Sequence, residues 1–290
     1  MTIQRGHAWA VVISLMGASG AVACSGGETP QGAETKSALR SELRSGLISI
    51  ATHRNQFGAD HSAGAHIWQQ ERPDDCETLA AEESCKVTFC RSSDIGAVTS
   101  FSAGDIEISG ARIAPPIVLN PLPGSGYTRW IGQGTIWSGG EAVRIKAAGE
   151  PGGLPAFDVD LNAPSLTVFS RPNWATGERV IDRSVDLDLA WQPENVAAGN
   201  IHARINVTQV NPHHQWWDVD CYYPVANEKG SVPARLLSMI PASEGGFGNV
   251  DFRVEAEKVS DVDGFRVKSQ FWTTANFPGD IQAAGSATIK

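Results

Sequence analysis

The sequence predicts an all-β protein: an antiparallel β-sandwich of jelly-roll-like or Ig-like kind with one short helix. Three observations carry this expectation. Short runs alternate apolar and polar residues with a period of two. Clusters of Gly and Pro (PLPGSG, SGG, EPGG, APS, FPGD) punctuate them. No long amphipathic helical pattern occurs anywhere in the 290 residues.

The N-terminus reads as an export signal. Arg5 and His7 precede an apolar run over 8–16, small residues follow, and Ala21-Val22-Ala23 forms an A-x-A cleavage site. The run is too short for a span of about 20 residues. The next residues are Cys24 and Ser25-Gly26-Gly27. AVAC-SGG resembles the lipobox of bacterial lipoproteins, differing at Ala21, where that family has Leu. The resemblance implies that residues 1–23 are a signal peptide, that Cys24 is acylated as the first mature residue, and that Ser25 directs export to the outer membrane. Acyl chains would anchor firmly, at about 0.8 kcal/mol per buried CH₂. Ordinary secretion is the alternative.

Residues 24–63 read as the lipidated cysteine and a flexible tether, since SGGETPQGAETKS is small, polar and proline-bearing. Leu39, Leu43 and Leu47 recur every four residues within it and suggest a short helical stretch. His53, His61 and His66 are scattered, and the spacing of the last two does not put them on one helix face, so metal binding is not expected.

The sandwich domain is expected over 64–290, with a division into two sub-sandwiches near residue 175 left open. Residues 76–90 (CETLAAEESCKVTFC) read as a disulfide-stapled hairpin. Strands are expected at 105–109, 117–119, 135–137, 141–147, 157–161 and 166–169, then at 185–191, 201–209, 217–223, 250–259, 265–271 and 283–289. Asp263-Gly264 marks a hairpin turn. In 185–191 the core set is Val185, Leu187, Leu189 and Trp191. In 217–223 it is Trp217, Val219, Cys221 and Tyr223, which leaves Asp218, Asp220 and Tyr222 for water. Ser231 is expected to cap a helix with Pro233 in its first turn, Leu236, Leu237 and Ile240 on its buried side, and Pro241 as its stop.

Of five cysteines, lipidation of Cys24 would leave an even set, Cys76, Cys85, Cys90 and Cys221, suited to disulfides in an oxidising compartment. Parity places Cys85 and Cys221 inward and Cys90 outward, favouring Cys85–Cys221 and Cys76–Cys90 among three possible pairings. The C-x₈-C-x₄-C spacing is not that of a zinc site.

The series SAGDIEISG, GGEAVRIKAAG, LPAFDVDLNAP, RSVDLDLAW and GSVPARLLSMIP is similar to a group of uncharacterised exported lipoproteins and secreted proteins of myxobacteria-like organisms. This resemblance implies a sandwich and an exported location and carries no catalytic residues.

Chemistry is sparsely signalled. A formal charge of −9 suits solubility and does not suit nucleic acid. There is no G-x-S-x-G elbow, H-E-x-x-H motif or P-loop. The pairs Asp158/Asp160, Asp186/Asp188 and Asp218/Asp220 invite a cation site if their strands adjoin, but the alternation already explains them as solvent-facing. Asp261/Asp263 lacks the remaining ligands of a calcium loop. His202 reads as a strand residue. NPHHQWW (211–217) is the densest polar-aromatic patch, and His213, His214, Trp216 and Tyr222 form a candidate sugar platform, with Trp130, Trp137 and Trp174 raising the same question.

The functional expectation is an envelope-anchored lipoprotein acting as a non-catalytic binding or structural module, without metal or cofactor. Its partners would be the membrane, through the N-terminal lipid, and an envelope protein or glycan. One alternative is a carbohydrate-binding surface protein using the 213–223 patch. Another is an extracellular hydrolase whose dispersed carboxylates assemble only in the fold.

Overall fold

The computed structural model describes residues 44–55, 58–70, 75–91, 98–122, 126–134, 136–174, 179–209, 214–243, 247–277 and 281–290. The leader expected at 1–23, Cys24 and the part of the expected tether up to residue 43 lie outside them, as does His213. Among the described residues no helix is long and apolar enough to cross a membrane.

Order begins earlier than the composition suggests. β1 (Arg44–Asn55) and β2 (Gly58–Gln70) are long strands occupying the stretch read as tether. Leu47 therefore belongs to a strand rather than a helical turn. Ile48, Ile50, Ala63, Ala65 and Ile67 are buried, so period-two alternation (LISIA, SAGAHI) was present here behind small and polar residues. β3 (Asp75–Glu82) and β4 (Cys85–Arg91) form the expected hairpin, and β5 (Val98–Ser100) follows. β6 (Ile106–Gly110), β7 (Ile113–Leu119), β8 (Gly126–Gln133), β9 (Ala142–Ala147) and β10 (Phe157–Asn162) complete the first half. The connection between β9 and β10 needs the glycine just before EPGG. Gly149 has φ +84°, and a Cβ there would meet Ala156 N at 2.4 Å.

The second half runs through β11 (Thr167–Arg171), β12 (Val180–Ile181), β13 (Leu187–Pro193), β14 (Asn200–Gln209), β15 (Gln215–Pro224) and β16 (Lys229–Val232) to α1 (Ala234–Leu237). β17 (Phe247–Val262) and β18 (Phe265–Thr274) then meet at Asp263-Gly264, both with positive φ, as a tight hairpin requires. β19 (Asn276–Phe277), β20 (Ile281–Gln282), β21 (Ala284–Ser286) and β22 (Thr288–Ile289) end the chain. The strand expected at 135–137 does not form at Trp137, which is instead a buried loop residue. Val185 lies before β13 and is 55 % exposed, so the inward set of that strand starts at Leu187.

The strands build an all-β sandwich with one large sheet and two smaller ones. The large sheet has the order β3-β4-β15-β14-β17-β18-β1-β2-β5, with β21 joining β17 and β8 joining β2. The small sheets are β10-β9-β6-β7 and β16-β13-β11-β19-β20, and β12 pairs with β22. Most pairing is antiparallel, but β1–β18, β11–β19 and β12–β22 are parallel. One apolar cluster joins Phe169, Leu189, Trp191 and Val232 to Ile201, Val219 and Phe252. A second joins Ile106, Ile145 and Val159 to Ile48, Ile67, Val267 and Phe271. Paired residues project to one side of a ladder. Ala256 pairs with Phe271, Phe271 with Ile50, and Val254 with Thr273, so both clusters lie against the same face of the large sheet. The β17–β18 hairpin links the two cores, and one continuous sheet backs both.

Two disulfides cross-link adjacent strands in the favoured pairing. Cys76 joins Cys90 across β3–β4, and Cys85 joins Cys221 across β4–β15. Cys85 and Cys221 face the core. Cys90 is on the opposite face but is itself buried. Disulfides persist in oxidising compartments and fit an extracellular or periplasmic location.

Helix α1 buries Leu236 and Leu237, with Ile240 just beyond. Its cap is not Ser231, which belongs to β16 opposite Asp188. Pro233 holds the N-cap position, and Asp186 accepts a 2.7 Å hydrogen bond from the Ala234 N–H. A carboxylate from a distant turn thus satisfies a helix-end donor that local sequence leaves unpaired.

Candidate functional site

The other face of the large sheet contributes no residue to either core cluster. It is nonetheless ordered by a polar network across six strands. One rung runs Asp60 (β2), His53 (β1), Thr274 (β18), Arg253 (β17), His202 (β14) and Tyr222 (β15). Thr274 Oγ1 lies 3.3 Å from His53 Nδ1, closing the step between β1 and β18.

His202 is the hub. It is 4 % exposed, its ring stacks on Tyr222 with centroids 4.5 Å apart and planes at 8°, and its Nε2 lies 2.7 Å from Asp220 Oδ1. Its Nδ1 faces both Arg253 Nη2 at 3.0 Å and Glu255 Oε2 at 3.4 Å. These two contacts exclude each other as hydrogen bonds: a neutral Nδ1 accepts from Arg253, and a protonated one donates to Glu255. Burial opposes charge on His202, but the hydrogen bonds to Asp220 and Glu255 outweigh it and raise the pKa, which favours the imidazolium.

Glu255, 1 % exposed, lies 3.0 Å from Arg253 Nε. Burial works against its charge, yet the His202 contact and the Arg253 charge hold its pKa down to about 2. Asp220 is likewise lowered against its burial, by His202 and then Arg204. Burial, together with the Asp220 and Glu255 charges, pushes the Tyr222 hydroxyl up. One rung further, Arg204 Nε donates to Asp218 Oδ1 at 2.8 Å and Asn206 Nδ2 donates to the same oxygen at 2.9 Å. On the other side Arg253 lies 5.7 Å over the Trp272 ring, and His53 meets that ring edge-on at 5.0 Å. Burial lowers the pKa of His53, and also of His66, which stacks on Trp68 at 4.9 Å.

This face corrects the expectation that Asp218 and Asp220 simply meet water. Asp218 is 5 % exposed, and both acids belong to the network. The other acid pairs are elsewhere. Asp158, on β10, pairs with Arg144, and Asp186 caps α1. The three pairs occupy three different sheets, so they assemble no shared cation site. Among the described residues no group of His, Cys, Asp and Glu is arranged to hold a metal ion. His61, read as tether, points into the second core, bonded to Thr52 Oγ1 at 3.0 Å and packed on Trp137 at 4.4 Å.

The expected sugar platform is not brought together. His214 is exposed just before β15, and Trp216 and Tyr222 share the outer face at opposite ends of that strand. Six residues of strand separate them by about 20 Å, too far for one sugar ring. Trp217 turns inward onto Phe89 at 4.7 Å. Trp137 and Trp174 are core residues, whereas Trp130 is 65 % exposed. The sequence reading missed the other outward aromatics, Trp68 on β2 and Trp272 on β18. Each occupies an outer-face position of an alternating strand, and that parity was the available signal.

No protein-family model matches the chain, and no curated protein matches it.

A cleft between Trp137, Ser138, Ser165, Glu194 and Asn195 has a volume of about 110 Å³. Ligand pockets run to roughly 300–1,000 Å³. The buried acids with lowered pKa values, Asp220 and Glu255, face His202 and Arg253, with the Arg204 charge near Asp220. Neither lines that cleft.

Proposed function

We propose that this chain is an exported, envelope-anchored binding module, fastened through lipid on Cys24, that engages its ligand with the outer face of the large sheet and performs no catalysis. The observation that carries the binding reading is the outer face itself. It holds Trp68, Trp216, Tyr222 and Trp272 at partly exposed positions, with Trp130 largely exposed. Between Tyr222 and Trp272 the His202–Arg253–Glu255 network packs on both rings and holds them in place, which limits the entropy lost on binding. Tryptophan and tyrosine are the residues most often found at binding hot spots. The lipid anchor is supported by the AVAC-SGG sequence, and export by the two disulfides.

Glycan is the ligand class this surface favours, because flat aromatic rings offer stacking surface while the intervening serines, threonines and carboxylates offer hydrogen bonds to hydroxyls. The test takes the mature protein from its native membrane. Mass analysis of the N-terminal peptide should show acylated Cys24, and a glycan array probed with the delipidated protein should show binding that outer-face substitutions reduce. An unmodified Cys24 would overturn the anchor. Silence on the array, together with envelope pull-downs indifferent to outer-face substitution, would overturn the binding reading.

A further inference from the structure

The geometry points to a trough for a neutral, linear oligosaccharide on the outer face over β1 and β2, walled by Trp272 and Trp130. This rests on the outer face being a ligand surface and adds the site and the ligand class. Register places four residues on one rung: Trp272 (β18), Ala51 (β1), Ser62 (β2) and Trp130 (β8). The neighbouring rung is Gln270, Ser49, Gly64 and Thr128. Every side chain between the walls is therefore small. The floor is Ser49, Ala51, Ser62 and Gly64, and the two indoles stand three interstrand spacings apart, about 14 Å.

The walls differ in stiffness. Trp272 is held by the Arg253 guanidinium, 5.7 Å from its ring centroid, and by His53 edge-on at 5.0 Å. Trp130 is 65 % exposed beside the bulge where β8 shifts register between His61 and Ser62 of β2. One rigid and one adjustable aromatic suit a ligand whose apolar faces recur along its length. Charge narrows the class further. Neither rung carries an ionisable side chain between or on the walls; the flanking rungs bring His53 and Asp60 at one end and His66 at the other, and the nearby ion pairs Arg253–Glu255 and Lys268–Glu257 are internally matched. A charged polymer finds no counter-charge on the two rungs themselves. A polyhydroxylated neutral chain finds C–H-stacking rings and the hydroxyl groups of Ser49, Ser62 and Thr128. The open, shallow floor selects an extended β-linked chain over a single enclosed ring.

The experiment is calorimetric titration of the full mature chain with cellohexaose and with chitohexaose. Expected is binding of at least one, weakened about tenfold by Trp130→Ala and by Trp272→Ala. Ser62→Trp, which fills the floor from a partly exposed position, should abolish it, while Trp216→Ala, at the far end of β15, should leave it unchanged. Binding should also be insensitive to salt. Sugar binding lost with Trp216→Ala but retained in Ser62→Trp would overturn the trough while leaving the outer-face reading standing. Lack of binding to either sugar would overturn the trough, and the outer-face reading is then judged separately by whether envelope pull-downs respond to Trp216→Ala.

Discussion

Replacing Arg253 with methionine tests whether the outer-face network is held by matched buried charge. Methionine keeps the length of the side chain and removes the cation. Glu255, 2 % exposed at the side chain, would then lose its 3.0 Å partner. A pKa of about 2 against the ordinary 4.5 corresponds to about 3 kcal/mol of preference for the ionised form, supplied by His202 first and Arg253 next, so the magnitude for removing Arg253 is taken from the loss of a buried partner. Breaking a buried pair by removing one member costs about 3–5 kcal/mol, while removing both is far milder. Arg253→Met should therefore lose about 3 kcal/mol at pH 7 in equilibrium urea unfolding of the full chain, and Arg253→Met/Glu255→Gln should recover most of it. The pH dependence has a fixed sign. A lowered carboxyl pKa contributes stability that is complete above pH 4.5 and is lost as pH falls from there toward about 2. Glu255→Gln should flatten that part of the acid limb. A single variant within about 0.5 kcal/mol of the parent, or a double variant as damaged as the sum of the singles, would refute the reasoning.

His202 acts on the opposite limb. Its raised pKa adds stability that is complete below pH 6.5 and is lost as pH rises through the folded value, so His202→Gln should flatten the neutral-to-alkaline part of a stability–pH profile followed by urea midpoints. Replacing the Cys85–Cys221 pair by alanines, which opens a link across 136 residues, should cost about 5 kcal/mol, against about 3 for Cys76–Cys90, which spans 14. Equal losses from the two double substitutions in urea melts would contradict the chain-entropy account. Asp186→Ala should cost about 1 kcal/mol through the lost bond to the Ala234 N–H, with Ser231→Ala close to neutral. The reverse order in thermal melts would restore Ser231 as the cap.

Alternation made the sandwich legible. It located β9, β10, β14, β15 and the β17–β18 hairpin, and parity alone favoured the disulfide pairing now observed. It failed at β1 and β2, where Ser, Gly, Ala and His occupy the outward and many inward positions and composition resembles a linker. Those small residues are acceptable because β18 and β8 flank them and supply the bulk. The network was illegible for another reason. His202, Arg253 and Asp220 each sit in a polar slot of a well-behaved alternating strand, and only the order β15-β14-β17-β18 shows that opposite charges face one another. Strand order is a long-range property that period two does not encode. Asp186 at the start of α1 is the same kind of miss, since its partner lies 48 residues away.

The parallel seam between β1 and β18 has a consequence for biogenesis. The first described strand is flanked by one close to the C-terminus, and Thr274 Oγ1 reaches the Thr52 carbonyl across 222 residues. A polypeptide delivered N-terminus first must therefore leave the far edge of the β1–β2 hairpin open until β18 has arrived. Closure of so large a loop precedes any reward from the contacts it enables, so maturation should be slow and all at once. Ribosome-stalled or C-terminally clipped forms lacking the β17–β18 hairpin would leave one edge of β1 unpaired, an easy target for quality-control proteases.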